Sequence, residues 1–244
     1  MKLFFIRLIW RILGLPFRLK PLGKARDAYP SWIEIFVNEV PGRHILEDLG
    51  RTYAQIFTDP MWGEAWEPEE AIEKIQKEIV PQRPSVLSYM IGDAQDPIAG
   101  FCWGAVITAG QIEEEATSAL GVKPEGLEEA LRKKGAFQVF YYHEVALLKH
   151  FRGGFEPLKY LLRPGLELAC EENVKGSMFW SSPKSKIVPL TRMLGYGEIF
   201  RTQNQHGVDI VFLYHPNHRS ILKVAQNVSG KFFSRVFAKI SGKK

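Results

Sequence analysis

An imidazole and a carboxylate stand side by side at His143-Glu144, and two cations, Lys149 and Arg152, come just ahead of the glycine pair Gly153-Gly154. Residues of these types can take up a proton and hold an anionic group. They fall within residues 139–154, VFYYHEVALLKHFRGG, where a β-branched and aromatic run predicts a strand that stops at the glycines. Beyond it, Pro157 at a first helical position, with Leu158, Leu161 and Leu162 after it, predicts a helix. A helix N-terminus presents unpaired N–H groups and the positive end of the helix dipole. Strand, glycine turn and helix in succession therefore suit a phosphate. On a regular strand His143 and Glu144 point to opposite faces, so only one of them can face a cleft.

The next stretch of chain is more specific. Residues 177–181 (SMFWS) read as a second strand and residues 186–195 as a second helical stretch, which ends at Gly195-Tyr196. Glu144-Val145-Ala146-Leu147 stands eight residues before Arg152-Gly153, and Met193-Leu194-Gly195-Tyr196 comes later. This order and spacing resemble the GNAT acyltransferase superfamily over roughly residues 30 to 215. There, a strand carrying a Glu-hydrophobic-Ala-hydrophobic motif leads into a pyrophosphate loop, and a later helix ends in Leu-Gly-Phe/Tyr. The resemblance implies an α/β (α+β) fold with a central mixed, mostly antiparallel sheet flanked by helices. It also implies acetyl-CoA or another acyl-CoA as cofactor, with transfer of the acyl group to an amine.

By the same resemblance Glu144 is the candidate base, directly or through water, and Tyr196 a candidate acid for the departing thiolate. Leu147, Lys149, Arg152, Gly153 and Gly154 are the candidate cofactor-binding residues, through backbone N–H groups beyond Leu147 and at the glycines and through the two cations. The chain departs from the family pattern at three points. Phe155 and Pro157 fall on glycine positions of the loop, or its register slips by one residue around Gly154; Glu156 adds a negative charge there, and Thr191 stands where the family often has its acidic Tyr. Ser181, Ser182 and Ser185 are other possible substitutes for that Tyr. Pro164-Gly165 and Pro189 are expected to break or kink the two helices beside the cofactor. A catalytically inactive GNAT-fold binding or assembly factor is the alternative.

The other elements are read from periodicity. Residues 32–40 alternate as a first strand, residues 45–57 and 67–78 as helices, and residues 85–91 and 97–107 as a hairpin across the turn at 92–96. Residues 109–136 are polar and acid-rich, with short helices expected at 113–115 and 126–134, either a lid over the acceptor or a solvated excursion. Two strands, residues 198–203 and 208–214, close the body. Trp62, Trp66 and Trp103 are core or acceptor-lining residues. Cys102 and Cys170 sit in apolar contexts and read as reduced thiols, and the six histidines show no metal-ligand spacing, so no metal is expected.

Charge divides the 244 residues more sharply than the net +5 suggests. All 27 acidic residues lie between Asp27 and Asp209, while residues 1–26 and 217–244 carry seven basic residues each. The body between them is net −9. The chain thus divides into a basic amphipathic segment at 1–26, a GNAT-like domain at 27–216 and a basic amphipathic helix at 217–244. In the first, Arg7, Arg11 and Arg18 share a face while Phe4, Phe5, Leu8, Ile9, Trp10, Ile12 and Leu13 cover the rest. In the last, Lys231, Arg235 and Lys239 recur beside Phe233, Val236, Phe237 and Ile240.

Neither has the run of about 20 apolar residues that spans a bilayer. Both suit the headgroup plane of an anionic membrane, where each basic residue adds about 1 kcal/mol. The expected place is cytoplasmic and peripheral to a membrane, docked on lipid or on a membrane protein complex. Packing of one or both tails on the body or on a partner protein, or organelle targeting by residues 1–26, are the other readings. Nucleic acid is disfavoured as a partner, because the tails lack polar spacing and the acidic body repels phosphates.

Overall fold

The computed structural model describes residues 29–58, 65–79, 83–151, 156–185, 187–217 and 221. The terminal segments 1–26 and 222–244 lie outside these residues, as do Arg152, Gly153 and Gly154. Seven strands form one sheet in the order β1-β2-β3-β4-β5-β7-β6. They are β1 (Ile33–Val37), β2 (Ser85–Ile91), β3 (Ile98–Thr108), β4 (Gln138–Leu147), β5 (Ser177–Ser181), β6 (Gly197–Gln203) and β7 (Asp209–His215). Every pairing is antiparallel except β4 with β5. This is the mixed, mostly antiparallel sheet expected from the sequence.

Among the described residues six α-helices cover the two faces: α1 (Arg43–Phe57), α2 (Pro68–Glu78), α3 (Ala109–Leu120), α4 (Leu127–Lys133), α5 (Glu156–Glu171) and α6 (Ile187–Met193). On one face α1 and α2 bury Leu49, Tyr53, Ile72 and Ile75 against Leu87, Phe101 and Trp103. Further along that face α3 and α4 pack Ile112, Ala116, Leu127 and Leu131 on Ile107, Val139 and Tyr141. On the other face α5 and α6 pack Leu161, Leu166, Val188 and Leu190 against Cys102, Val106, Phe140 and Tyr142. A sheet buried on both faces reads as continuous apolar runs, which is why β3, with ten of eleven residues buried, lacks alternation.

Local chemistry explains the helix starts. Pro68 opens α2 at its first position, and the Glu67 N–H donates to Glu70 Oε2 at 3.2 Å. Thr108 caps α3 by accepting from the Gln111 N–H. That cap makes α3 one twelve-residue helix where the sequence suggested only a short one at 113–115. Its Ala109, Ile112, Ala116 and Leu120 are buried on the sheet, so α3 is a core element rather than a lid.

The expected helix breaks do not occur. Helix α5 runs through Pro164, which has no N–H to offer the carbonyl one turn back. The sheet supplies donors to neighbouring carbonyls instead: Ser88 Oγ donates to Leu161 O at 2.8 Å and the Tyr142 hydroxyl to Leu162 O at 2.9 Å. Gly165 then lets the helix settle on the strands, since a Cβ there would overlap the Phe140 ring. Pro189 falls in the first turn of α6, where a missing N–H costs nothing.

Candidate active site

β4 decides the site twice. It pairs with β5 only through Phe140↔Ser177 and Tyr141↔Met178, and beyond Tyr141 the two strands are no longer paired. Just there its pairing with β3 slips: Gly104 faces Tyr142 and Trp103 faces Glu144, which leaves His143 as an extra residue. Gly104 makes the bulge possible, because a Cβ there would overlap the Tyr141 carbonyl oxygen.

The bulge breaks the alternation expected of a regular strand. Tyr142 lies on the α5 side, while Tyr141, His143 and Glu144 all make their contacts on the other side, with α1, α2 and α3. His143 and Glu144 therefore share a face, at the point where β4 leaves β5. Sequence alternation alone could not reveal this, although the glycine at 104 in an otherwise apolar strand is the kind of residue that marks a bulge.

Around this pair stands a cluster of charges from distant parts of the chain. Lys74 Nζ lies 2.6 Å from Glu78 Oε1 and 3.5 Å from Glu144 Oε1. The Tyr53 hydroxyl donates to Glu144 Oε1 at 3.1 Å, and the Trp103 indole N–H to Glu78 Oε2 at 2.7 Å. His143 Nδ1 is 3.3 Å from Glu115 Oε2 and 3.7 Å from Glu78 Oε2. Arg83 closes the group, with Nη1 2.8 Å from Glu115 Oε1 and Nη2 donating to the Glu78 carbonyl at 2.9 Å.

Burial pushes the His143 imidazole below its usual range, against the pull of Glu78 and Glu115, so it is neutral at pH 7. For Glu78 burial acts upward, but His143, Lys74 and the Trp103 hydrogen bond outweigh it and hold the carboxyl below the ordinary range. Burial acts downward on Lys74, yet the facing Glu144 and Glu78 hold the ammonium above its usual value. At neutral pH the cluster thus presents an ionised ammonium–carboxylate core beside an uncharged imidazole.

The other anticipated residues lie apart from it. Leu147 ends β4 on the α5 side, packed in the core there, opposite Gly100. Lys149 is exposed in the short 3₁₀ turn Lys149–Phe151 just beyond. The Leu148 N–H in this stretch is taken by the Ala99 carbonyl at 2.9 Å. Tyr196 is not brought to Glu144. Its hydroxyl is 2.6 Å from Ser177 Oγ, its ring packs on Phe179 and His215, and burial holds the phenol well above its usual range. Thr191, in the position of the family Tyr, is buried with its hydroxyl donating to the Ile187 carbonyl at 2.9 Å. Trp103 is core and Trp66 packs edge-on against Tyr53, while Trp62 lies outside the described residues. Sequence reading missed Lys74, Glu78, Arg83 and Glu115.

Among the described residues no group of His, Cys, Asp and Glu could hold a metal ion, and no helix is long and apolar enough to cross a membrane. The sheet order, the parting of β4 from β5 and the helix after β4 define the fold of the GNAT acetyltransferases. The Arabidopsis thaliana NAA60 structure in complex with acetyl-CoA shares it: TM-score 0.50 and 14% identity, over 76% of this chain and 99% of that one. Also similar are a probable acetyltransferase (TM-score 0.45, 16% identity, 68% of this chain and 90% of that) and Ard1 from Thermoplasma volcanium (TM-score 0.47, 11% identity, 76% and 97%). No protein-family model and no curated protein sequence matches the chain.

Proposed function

We propose that this protein is an acyl-CoA-dependent N-acyltransferase. One observation carries the proposal: His143 and Glu144 stand on one face of β4 at the bulge, beside the place where β4 and β5 cease to pair. Acyl transfer to an amine needs a thioester held in register, a polarised carbonyl and a group that takes protons from the amine. In this reading acetyl-CoA or a longer acyl-CoA enters between the diverging strands. Its phosphates meet Lys149, Arg152 and the N–H groups of Gly153 and Gly154, and its thioester lies along the end of β4 near Leu147. Glu144 accepts the proton that leaves nitrogen as the amide bond forms. Tyr196 acts from behind, holding β5 through Ser177. The net −9 body favours a cationic acceptor.

The basic, aromatic segments 1–26 and 217–244 attach this enzyme to the cytoplasmic face of an anionic membrane, or to a membrane protein complex there. Two weak anchors on one domain reinforce each other, because the second binds at high effective concentration. A second reading, a GNAT-fold binding factor without turnover, draws support from Tyr196 and Thr191, both buried in internal hydrogen bonds where a leaving thiolate would need an acid.

Thiol release from acetyl-CoA and from a longer acyl-CoA, across a set of primary amines, separates the two. Turnover should appear with the wild type and fall about a hundredfold in Glu144→Gln, the scale of a lost proton acceptor. Turnover that Glu144→Gln leaves unchanged would remove Glu144 from the chemistry, and no turnover with any amine would favour the binding factor.

A further inference from the structure

Three of the five buried side-chain polar atoms left without a hydrogen bond among the described residues belong to one cluster: Arg83 Nε, Glu115 Oε2 and His143 Nε2. Native interiors seldom leave such atoms unpaired, and a group of them marks a place where something polar is to be received. His143 is the most telling of the three. Its side chain is only 4% exposed, it stands at the bulge, and its two ring nitrogens meet opposite surroundings. Nδ1 lies 3.3 Å from Glu115 Oε2 and 3.7 Å from Glu78 Oε2, outside hydrogen-bond alignment but close enough that the negative charge favours the tautomer with its hydrogen on Nδ1. Nε2 is left with its lone pair and no partner.

We infer that His143 is a second proton acceptor of the acyltransferase site, taking the first proton from a cationic amine at Nε2, with Glu115 as the residue that positions it. The inference rests on the acyltransferase reading and deepens it. An ammonium has no lone pair and must lose one proton before it can attack. Glu144 is a poor acceptor for that step, being held by Lys74 and Tyr53. In the first step His143 Nε2 takes the ammonium proton and becomes an imidazolium flanked by Glu115 and Glu78. The freed nitrogen pair forms the C–N bond to the thioester carbonyl. Glu144 receives the second proton from nitrogen and returns it to sulfur as the C–S bond breaks and its electron pair leaves with the thiolate. The imidazolium then gives its proton to solvent, and amide, thiol and one proton are the products.

All the groups that face His143 bear on its titration: Lys74 and Glu78 from α2, Arg83 from the segment after α2, Glu115 from α3, and Tyr141 and Glu144 from β4 itself. Activity needs the neutral ring, so the rate falls on acidification through the His143 titration. Neutralising Glu115 removes a charge that stabilises the imidazolium, which moves that acidic limb to lower pH.

The test compares pH–rate profiles of wild type, His143→Asn and Glu115→Gln with one saturating primary amine and acetyl-CoA, alongside ¹⁵N NMR of the wild-type imidazole. The expected results are a protonated Nδ1 in the spectrum and a rate in His143→Asn about a hundredfold lower at pH 7 that climbs with pH as the amine deprotonates by itself. The acidic limb of Glu115→Gln should shift downward. A proton on Nε2, or a His143→Asn profile matching wild type in rate and shape, overturns the assignment while leaving the acyltransferase intact. A wild type that releases no thiol with any amine removes the acyltransferase reading, and this assignment with it.

Discussion

Replacing Lys74 with methionine should destabilise the protein by about 3 kcal/mol at pH 7, the usual scale when one partner of a buried ion pair is removed. Lys74 lies 2.6 Å from Glu78 and 3.5 Å from Glu144, and all three side chains are less than a quarter exposed. Without it the two carboxylates lose this shared ammonium while keeping the hydrogen bonds from Trp103 and Tyr53, and they repel each other. In a domain of this size such a loss lowers Tm by roughly 10 °C. The pH dependence supplies the sharper check. In the variant a carboxylate is harder to ionise in the folded chain than in the unfolded one, so its stabilising proton is present at low pH and lost as pH rises. The deficit relative to wild type should therefore shrink between pH 7 and pH 5. Thermal melts at the two values measure it, and an equal deficit at both, or none at pH 7, would show that Lys74 does not neutralise the pair.

The double-mutant cycle of Phe140→Ala and Gly165→Ala carries the second large effect. Phe140 is fully buried between β3 and α5, and Cβ atoms built at both Gly104 and Gly165 would overlap its ring. Phe140→Ala alone should cost about 3 to 5 kcal/mol, as for other large-to-small changes in a packed core. Gly165→Ala alone has a sign that decides the matter. Helix propensity favours alanine over glycine by about 1 kcal/mol, so in an open site the change would stabilise. Here the new methyl meets an aromatic ring, and the change should destabilise. With Phe140 removed the closest overlap is relieved and the Tyr142 ring, 2.9 Å from the new Cβ, gains room to shift, so the two changes should couple favourably by roughly 1 to 3 kcal/mol. Urea unfolding of the four proteins measures the cycle; additive changes, or a stabilising Gly165→Ala in the wild-type background, would contradict this packing.

Much of the scaffold was legible in the chain. The hairpin β2–β3 and the strands β4 and β5 are apolar runs between turn residues, and Pro68 with its acidic neighbours announces α2. Periodicity places such elements because each is decided locally. The site was legible only at its centre. Glu144 and its strand came from a motif, whereas the bulge that turns His143 to the same face depends on how β3 and β4 pair across some forty residues of chain. Lys74, Glu78, Arg83 and Glu115 come from two helices and a connection, and their charges acquire meaning only where those helices meet the sheet. Pro164 failed as a helix breaker for a similar reason: Ser88 and Tyr142, distant in sequence, donate to the carbonyls around it. Tyr196 shows the converse, a motif residue whose hydroxyl the fold commits to Ser177 in the core.

The terminal segments extend the same physical logic to the whole chain. In the proposed arrangement the acidic body is repelled by an anionic bilayer, and the two basic aromatic segments overcome that repulsion by contact with the headgroups. In the proposed arrangement they hold the cleft beside a cationic acceptor at the membrane surface.

Calorimetric titration of the full-length protein with acetyl-CoA, beside an Arg152→Glu variant, tests the central claim most directly. Binding with a dissociation constant on the order of micromolar, about −8 kcal/mol, is predicted for the wild type, with its loss in the variant. No heat from the wild type up to millimolar acetyl-CoA or longer acyl-CoA would contradict an acyl-CoA-dependent enzyme.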